Sequence, residues 1–473
     1  MNFFLKIIDG IYNVFCGDLF KIPLPGGGSF GVSMLVLILI PVGIYFTVRT
    51  KFMSVRCFPE MLRISVEKKK GSKTGAISGL QALIVSTATR VGMGNLGGVV
   101  AAISAGGAGA IFWMWITAMM GSSTAFVEST LAQIHKESDP LYGGYRGGPA
   151  YYIHKLFARG KKKSVIAILF AISGLICWCG ISQVISNSVT SSFENAFGIP
   201  PIVTPVVLVA VAAVIVLRKN ATVKVLDIMV PIMAIIYFVI AIATIIMNAE
   251  LLPGVFKRIF EEAFGIRQVV AGGMGAALSL GVQRGLFSNE AGSGSAPCAA
   301  AAADVDHPAK SGLFQAFGVF IDTIVICTCT AMIMLLAPED KLEGLSGMAL
   351  LQTAMEHHFG KIGVVFIAVT LALFCFSTFI GILYYARSNV AYVFGDNWSS
   401  QTVYKVIALI MLFIGGIAAY AFVWTIGDIG VALMTVFNMI ALIPMGGQAI
   451  ASLNDYTAMR KKEKSAKKAE KRK

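Results

Sequence analysis

A chain of 473 residues that is 56% hydrophobic and only 14% charged, with a mean hydropathy of +0.76, is too apolar for a soluble enzyme, in which roughly 25% of residues are charged. Its net charge of +14 suggests a nucleic-acid partner, yet residues 460–473 alone hold nine Lys/Arg against two Glu, and the remaining excess sits in a few loops. That distribution reads as cytoplasmic loops and a tail beside anionic lipid headgroups, with no nucleic acid involved.

Residues 1–28 read as a short amphipathic lead. They lack the basic start, apolar core and small-residue cleavage site of a secretory signal, and Pro23 to Gly28 form the hinge into the first span. A span needs about 20 mostly apolar residues. About eleven such segments follow: 30–49, 76–104, 109–133, 164–190, 202–217, 224–247, 267–287, 312–336, 362–386, 403–424 and 428–450. Amphipathic stretches at 298–310 and 348–361 lie between spans, where they either gate or rest on the surface.

Loop charge sets the orientation. The loop 49–73 has eight Lys/Arg, including Lys68, Lys69 and Lys70, and the loop 135–163 has seven, including Lys161, Lys162 and Lys163. Loops 248–266 and 337–361 carry more acids than bases. The basic side is therefore cytoplasmic, with the N-terminus outside and the C-terminus inside. The expected organisation is a lead, first helix and basic loop (1–73), a first repeat (74–250), a second repeat of opposite topology (251–452) and a basic tail (453–473). The fold class is an all-α polytopic membrane protein, one N-terminal helix followed by a 5+5 inverted repeat.

Each repeat opens on a hydrophobic segment interrupted by glycine. The first reads Val91-Gly92-Met93-Gly94-Asn95-Leu96-Gly97-Gly98; the second carries Gly272, Gly273 and Gly275, then Ser279-Leu280-Gly281-Val282-Gln283-Arg284-Gly285. Broken helices are expected near 91–98 and 279–285. Backbone N–H and C=O groups are left bare at membrane depth only where they line a site, and a matched pair of breaks points to the binding site of a secondary transporter. Half-helix N-termini offer N–H groups to a carboxylate, and half-helix C-termini offer C=O groups to an ammonium or a cation. The competing reading of these glycines is close helix packing. Gly92 to Gly97 also spells GxGxxG, but no strand precedes it, so a dinucleotide fold is dismissed.

Polar residues inside spans complete the inventory. Asn95 offers an amide oxygen to Na⁺ or a hydrogen bond to a neighbouring helix. Gln283 is placed to reach substrate. Asp322 is a lone intramembrane acid, a functional residue by default, which pairs with Arg90 or Arg284 or takes part in cation coupling. Glu128 reads as a gate or loop anchor, and Trp113 and Trp115 as an interfacial aromatic belt. The cysteines, among them Cys177, Cys179, Cys327, Cys329 and Cys375, read as buried small hydrophobes rather than metal ligands or disulfides.

Four stretches resemble hallmarks of the sodium:alanine symporter family. They are Gly106-Gly107-Ala108-Gly109-Ala110-Ile111-Phe112-Trp113-Met114-Trp115; Arg284-Gly285-Leu286-Phe287-Ser288-Asn289-Glu290-Ala291-Gly292 followed by Gly294-Ser295-Ala296-Pro297; Gln81-Ala82 leading to Val91-Gly92-Met93-Gly94-Asn95; and Phe376-Ser377-Thr378 near Gly381. The resemblance spans about residues 80–385. It implies a leucine-transporter-type fold in a bacterial or archaeal cell membrane and cotransport of a small neutral amino acid with Na⁺ by alternating access; H⁺ coupling on the same fold is the alternative, an ion channel a more distant one. It further implies a substrate site at Gly92, Met93, Gly94, Asn95, Ser279, Gly281, Gln283, Thr378 and Ile382. Asn95 would be a first sodium ligand, and a second sodium site would form from the hydroxyls of Ser377 and Thr378 with carbonyls of Ala88, Val91 and Phe374.

Two departures bear on substrate. The family usually has Thr where Met93 stands and Trp where Ile382 follows Gly381, so a pocket more permissive than one for alanine alone is expected, since Met is adaptable and Ile is smaller than Trp. Arg387 stands where Glu is common. An intramembrane enzyme is disfavoured: His135, His154, His307, His357 and His358 fall outside the expected spans, and no HExxH motif occurs. No catalytic residues are assigned.

Overall fold

The computed structural model describes residues 2–23, 29–67, 77–158, 160, 162–218, 222–266 and 273–470. Lys68, Lys69, Lys70, Lys161, Gly272 and most of the 23–28 hinge lie outside the described residues. The architecture is almost wholly helical. The lead forms α1 (Asn2–Phe15), then a hairpin of β1 (Phe20–Pro23) and β2 (Ser29–Val32) with Phe20 opposite Val32. Helix α2 (Met34–Arg49) descends to α3 (Phe58–Ser65).

The first broken segment opens with α4 (Gly79–Arg90). It starts on a capping box: Gln81 N–H donates to Ser78 Oγ (3.0 Å), and Ser78 N–H donates to Gln81 Oε1 (2.9 Å). This reciprocal pairing satisfies two donors that a helix start leaves free. The helix stops at Arg90. Val91 adopts ψ 81, outside the helical range, and a π-helical turn over Gly94–Gly98 leads into α5 (Val99–Gly106). Gly107, at φ 72, turns the chain into α6 (Gly109–Ile134). Then come α7 (Pro149–Phe157), α8 (Val165–Phe197), α9 (Val203–Val216), α10 (Thr222–Met247) and α11 (Leu252–Ala263), the last bent by 74° from the end of α10.

The chain continues through α12 (Gly273–Asn289), α13 (Ala296–Ala302) and α14 (Pro308–Val319), which passes through a π-helical stretch, Phe320–Cys327, into α15 (Thr328–Leu335). It ends with α16 (Met348–Phe359), then α17 (Lys361–Phe394), α18 (Trp398–Ile417) and α19 (Tyr420–Glu470). The long α8 packs against α17, α18 and α19, while α6 packs against α12 and α14. The centre is sealed by fully buried Trp178, Tyr385, Phe374 and Phe379.

Among the described residues, six helices are long and apolar enough to cross a membrane, seven if the bent pair is one span. The other expected spans are shorter or broken. Helix α2 has 16 residues and α9 has 14, about 24 and 21 Å at 1.5 Å per residue. The stretch at 298–310 is not an amphipathic surface segment: Ala296–Ala302 is a wholly buried helix.

The second break also lies elsewhere than expected. Helix α12 is continuous through 279–285 and the chain unwinds over Glu290–Ser295, with Glu290, Gly292 and Gly294 at φ 56, 94 and 88. Gly281 serves packing instead. A Cβ there would lie 2.5 Å from Trp113 Cβ and 2.6 Å from the Ala110 carbonyl, so its glycine lets α12 lie directly on α6.

Candidate functional site

At the first break, α4 ends against α17. Ser377 Oγ donates to the carbonyls of Ala88 (3.1 Å) and Phe374 (2.8 Å). Thr378 Oγ1 donates to Phe374 O (3.0 Å), Thr89 O (3.3 Å) and Ala88 O (3.4 Å). Three carbonyls and two hydroxyls thus converge where the helix stops, an all-oxygen cluster of the kind hard cations take. Gly92 has no room for a side chain, because a Cβ would strike Thr378 Oγ1 and lie 3.2 Å from Phe374 O.

Asn95 ties this break to the second repeat. Its Oδ1 accepts from Gly92 N–H (3.0 Å), which fixes the turn. Its Nδ2 donates to Asp322 Oδ1 (2.7 Å), Asp322 O (3.1 Å) and Ser288 Oγ (3.3 Å). Ser288 and Thr323 donate to Asp322 Oδ2 at 2.9 and 2.7 Å. Asp322 therefore pairs with neither Arg90 nor Arg284; it closes a hydrogen-bonded triangle with Asn95 and Ser288. Gly94 makes the contact possible, since a Cβ there would lie 2.8 Å from Ser288 Cα.

The second break is held by side chains from five helices. Glu128 Oε1 accepts from Gly292 N–H (3.3 Å) and Oε2 from Asn438 Nδ2 (2.9 Å), while Asn438 Nδ2 also reaches Gly292 O (2.9 Å) and Asn438 Oδ1 accepts from Tyr152. Glu128 is thus an anchor of the broken helix, fully buried rather than near a loop. Glu290 takes the left-handed conformation that non-glycine residues rarely adopt. Its Oε2 accepts from Tyr385 (3.3 Å) and Thr89 (3.4 Å), which are 2.5 Å from each other. One carboxylate therefore links the two breaks and α17. Arg90 is 1% exposed and donates to Gln315 O (3.2 Å), with its Nε and Nη2 unpartnered. Four ionisable groups, Arg90, Glu128, Glu290 and Asp322, are thus buried at membrane depth, where such groups mark functional sites.

Of the residues expected from sequence, Ala88, Gly92, Gly94, Asn95, Phe374, Ser377 and Thr378 come together at this seam. Val91 is buried at its turn, and Met93 lies beside it, its Sδ 3.9 Å from Cys375 Sγ. Ile382 is buried one turn beyond Thr378, next to Gly381, where α17 touches Thr89. Ser279, Gly281 and Gln283 are not brought to it. Ser279 is 11 positions before Glu290, about 16 Å along a helix, and Gln283 Nε2 donates to Cys16 O beyond α1 (2.9 Å) and to Ser279 Oγ (3.4 Å).

Both approaches to the seam are shut. On one side Arg284 grips Asp428 bidentately (3.0 and 2.7 Å), each 6% exposed. The guanidinium lies 4.4 Å from the Trp424 ring, which packs on Phe287 at 5.0 Å. On the other side Ile77 pairs with Ala303, Asp304 N–H donates to Ile77 O (2.8 Å), and Gln133 Nε2 (2.7 Å) and Lys136 Nζ (2.9 Å) bind Ala303 O. Next to it, Glu60 accepts from Arg63 and Tyr456 (both 2.7 Å) and from Arg460 (2.9 Å), and His307 meets Asp455 at 3.2 Å. Burial raises the Glu60 carboxyl, but the hydrogen bonds of Arg63 and Tyr456 and the charges of Arg63 and Arg460 outweigh it and hold it down at about 2. Arg387 also finds a role: it pairs with Asp139 (2.8 Å) and lies over Tyr142 (3.7 Å).

Thr89, Ser288, Glu290, Tyr385, Asp428 and Asn438 were not singled out from sequence. Acids inside apolar segments were the usable signal for Glu290 and Asp428. The indole N–H groups of Trp113 and Trp115 bind Ala263 O (3.2 Å) and Thr328 Oγ1 (2.8 Å).

The sequence pattern of the sodium:alanine symporter family matches residues 27–471. The chain is 42% identical over 433 residues to the probable sodium/glutamine symporter GlnT of Bacillus subtilis (strain 168), covering 91% of this chain and 89% of that protein. It is 40% identical over 453 residues to the amino-acid carrier protein AlsT of the same organism, covering 94% and 93%. Among solved structures, MhsT in complex with L-phenylalanine aligns with a TM-score of 0.59 at 13% identity, over 82% of this chain and 96% of that one. That likeness carries the leucine-transporter-type fold.

Proposed function

This chain belongs to the sodium:alanine symporter family and is a secondary transporter of amino acids, multi-pass in a cell membrane; we propose that it couples uptake of a small neutral amino acid to Na⁺ by alternating access. The observation that carries the reading is the oxygen cluster at the first break: the carbonyls of Ala88, Thr89 and Phe374 with the hydroxyls of Ser377 and Thr378. Without a cation the hydroxyls point their protons at those carbonyls; with Na⁺ they would rotate and offer lone pairs. The Asn95–Ser288–Asp322 triangle is the second candidate cation position, and there the Asp322 carboxylate supplies a full charge.

The substrate belongs between the two breaks, near Gly92, Met93, Gly94 and Asn95 on one side and Glu290 to Ser295 on the other, with Thr378 and Ile382 behind. The start of Gly94–Gly98, which no side chain caps, suits a carboxylate, and carbonyls at the end of α12 suit an ammonium. Ser279, Gly281 and Gln283 act instead on the Arg284–Asp428 side and on packing. Met93 and Ile382, where the family usually carries Thr and Trp, favour a substrate larger than alanine, in keeping with the sodium/glutamine symporter among the relatives. The basic tail lies on the cytoplasmic side beside anionic headgroups, with the N-terminus outside.

The test is isotope uptake into proteoliposomes under imposed Na⁺ or pH gradients. Labelled alanine uptake is expected to follow the Na⁺ gradient and to be inhibited by glutamine, serine and methionine. Uptake driven by a pH gradient alone would replace Na⁺ with H⁺, and competition by alanine and glycine only would remove the enlarged pocket.

A further inference from the structure

Arg90 carries a charge that neither break and neither closure uses. It is 1% exposed, and a guanidinium stays charged even when buried. Its Nη1 donates to Gln315 O (3.2 Å), while Nε and Nη2 have no partner. Among the described residues it forms no ion pair, yet its charge acts on the carboxylates of Glu128, Glu290 and Asp322. Neutral donors hold those acids instead: Gly292 and Asn438 on Glu128, Tyr385 and Thr89 on Glu290, and Asn95, Ser288 and Thr323 on Asp322. Three buried acids beside one guanidinium leave an excess of negative charge, which is costly out of water. A cation at the seam reduces that excess, and its departure restores it.

The guanidinium rests along α14. A Cβ on Gly318 would lie 2.5 Å from Arg90 Nη1, so the glycine makes the room in which the group lies. Gln315, Gly318 and Asp322 stand at i, i+3 and i+7, on one helix face, and Asp322 follows Gly318 by one turn, about 6 Å. Asp322 sits in the π-helical stretch Phe320–Cys327, the kind of widened turn that recurs at functional sites. A long side chain with two free donors therefore lies one turn from the carboxylate of the second candidate cation position.

We propose that Arg90 is the resident counter-cation of Asp322. Its guanidinium rests on Gln315 while a cation occupies the Asn95–Ser288–Asp322 position, and it swings onto the Asp322 carboxylate when that position empties. The proposal rests on the Na⁺-coupled reading above. Cation and guanidinium exclude each other at Asp322, so each weakens the other's hold by the same factor. The carrier then crosses with a positive group on Asp322 in both directions: the cation on the loaded leg, Arg90 on the empty one. Arg90 touches neither substrate nor cation and acts through Asp322, as a positioning residue.

The experiment compares two transport modes in proteoliposomes containing the full chain. Net uptake of labelled alanine down a Na⁺ gradient requires the empty carrier to return. Exchange of labelled for unlabelled alanine, with equal Na⁺ on both sides, does not. Arg90→Gln should cut net uptake about tenfold or more while exchange persists, and should lower the half-saturating Na⁺ concentration for exchange about tenfold, the worth of one charged hydrogen bond taken from the competitor. Arg90→Lys keeps the charge and should retain more net uptake than Arg90→Gln. A merely structural role would lower both modes together and weaken Na⁺ instead of tightening it. Equal loss of the two modes, or a half-saturating Na⁺ concentration that is unchanged or raised, overturns the proposal. Should Arg90→Gln fail to give a cooperative melt, Arg90→Lys decides alone: an ammonium lacks the bidentate fork, so net uptake should fall more than exchange, and equal effects overturn the proposal. Those results leave Na⁺-coupled transport standing, whereas wild-type liposomes without Na⁺-driven uptake would remove that reading and this proposal with it.

Discussion

The two closures that flank the seam of this transporter are built on different physics. At the first, one ion pair does the closing. Arg284 and Asp428 are both nearly water-free, bonded bidentately and stacked against Trp424 and Phe287. At the second, closure is spread over backbone pairing at Ile77 and Ala303 and a wetter network of Glu60, Arg63, Tyr456 and Arg460. A desolvated pair is costly to break on one side only, because it leaves a buried charge without a partner. A network at the surface is worth little per bond and is screened by salt. The Arg284–Asp428 closure should therefore behave as a switch with two positions, the Ile77–Glu60 closure as a graded clasp.

The sharpest way to break this comparison is Asp428→Leu. It strands the Arg284 guanidinium and should cost about 3–5 kcal/mol, read as a lower melting temperature in detergent together with loss of uptake. The paired change Arg284→Met with Asp428→Leu should restore most of the stability but not uptake. A single variant that melts like wild type would mean the pair does not seal this side of the seam.

Next in size is the seam between the closures. Ser377→Ala or Thr378→Ala should raise the half-saturating Na⁺ concentration about tenfold, the worth of one hydrogen bond to a charged species. The increase in melting temperature caused by Na⁺ should shrink in step. Equal Na⁺ stabilisation in wild type and both variants would move the cation elsewhere.

The glycines give a matched pair. Gly281→Ala forces α12 off α6 at Trp113 and Ala110 and should cost about 1–3 kcal/mol. Gly98→Ala, whose new methyl meets nothing within 4 Å, should change stability by no more than about 0.5 kcal/mol. Thermal melts of the two variants side by side decide it.

The weaker of the two closures comes last. Glu60→Gln should cost less than about 1 kcal/mol and should matter less as salt is raised. The Glu60 carboxyl is held at about 2, below its ordinary 4.5. A depressed folded value means its stabilisation is fully present above pH 4.5 and is lost as the pH falls towards 2. Melting temperatures of wild type and variant should thus differ by a constant amount from pH 5 to 8 and converge only in stronger acid.

The same contrast shows how far the residues could be read one by one. The first break was legible because Gly92 and Gly94 flank Met93 just before Asn95, a local pattern that no regular membrane helix needs. The second was misplaced. Gly281 and Gly285 look as helix-breaking as Gly92, and only contact with α6 shows that they are packing glycines, while Glu290, a residue with no turn preference of its own, takes the left-handed region with its carboxylate bonded by Tyr385 and Thr89. Ser377 and Thr378 are marked by the resemblance of Phe376-Ser377-Thr378 to a family hallmark, whereas Asp428 carries no local mark because its partner is 144 positions away.

Hydropathy along the chain determined by itself that this is a helical membrane protein, and loop charges suggested its orientation, since both follow from transferring short segments between water and lipid. Local glycine spacing likewise announced a break at 91–98. Where the second break falls, which acids meet at the seam and how each side is shut were decided only by the tertiary structure. Those features depend on which helices touch, and the free energy of a buried hydrogen bond or ion pair exists only once both partners have been brought together out of water.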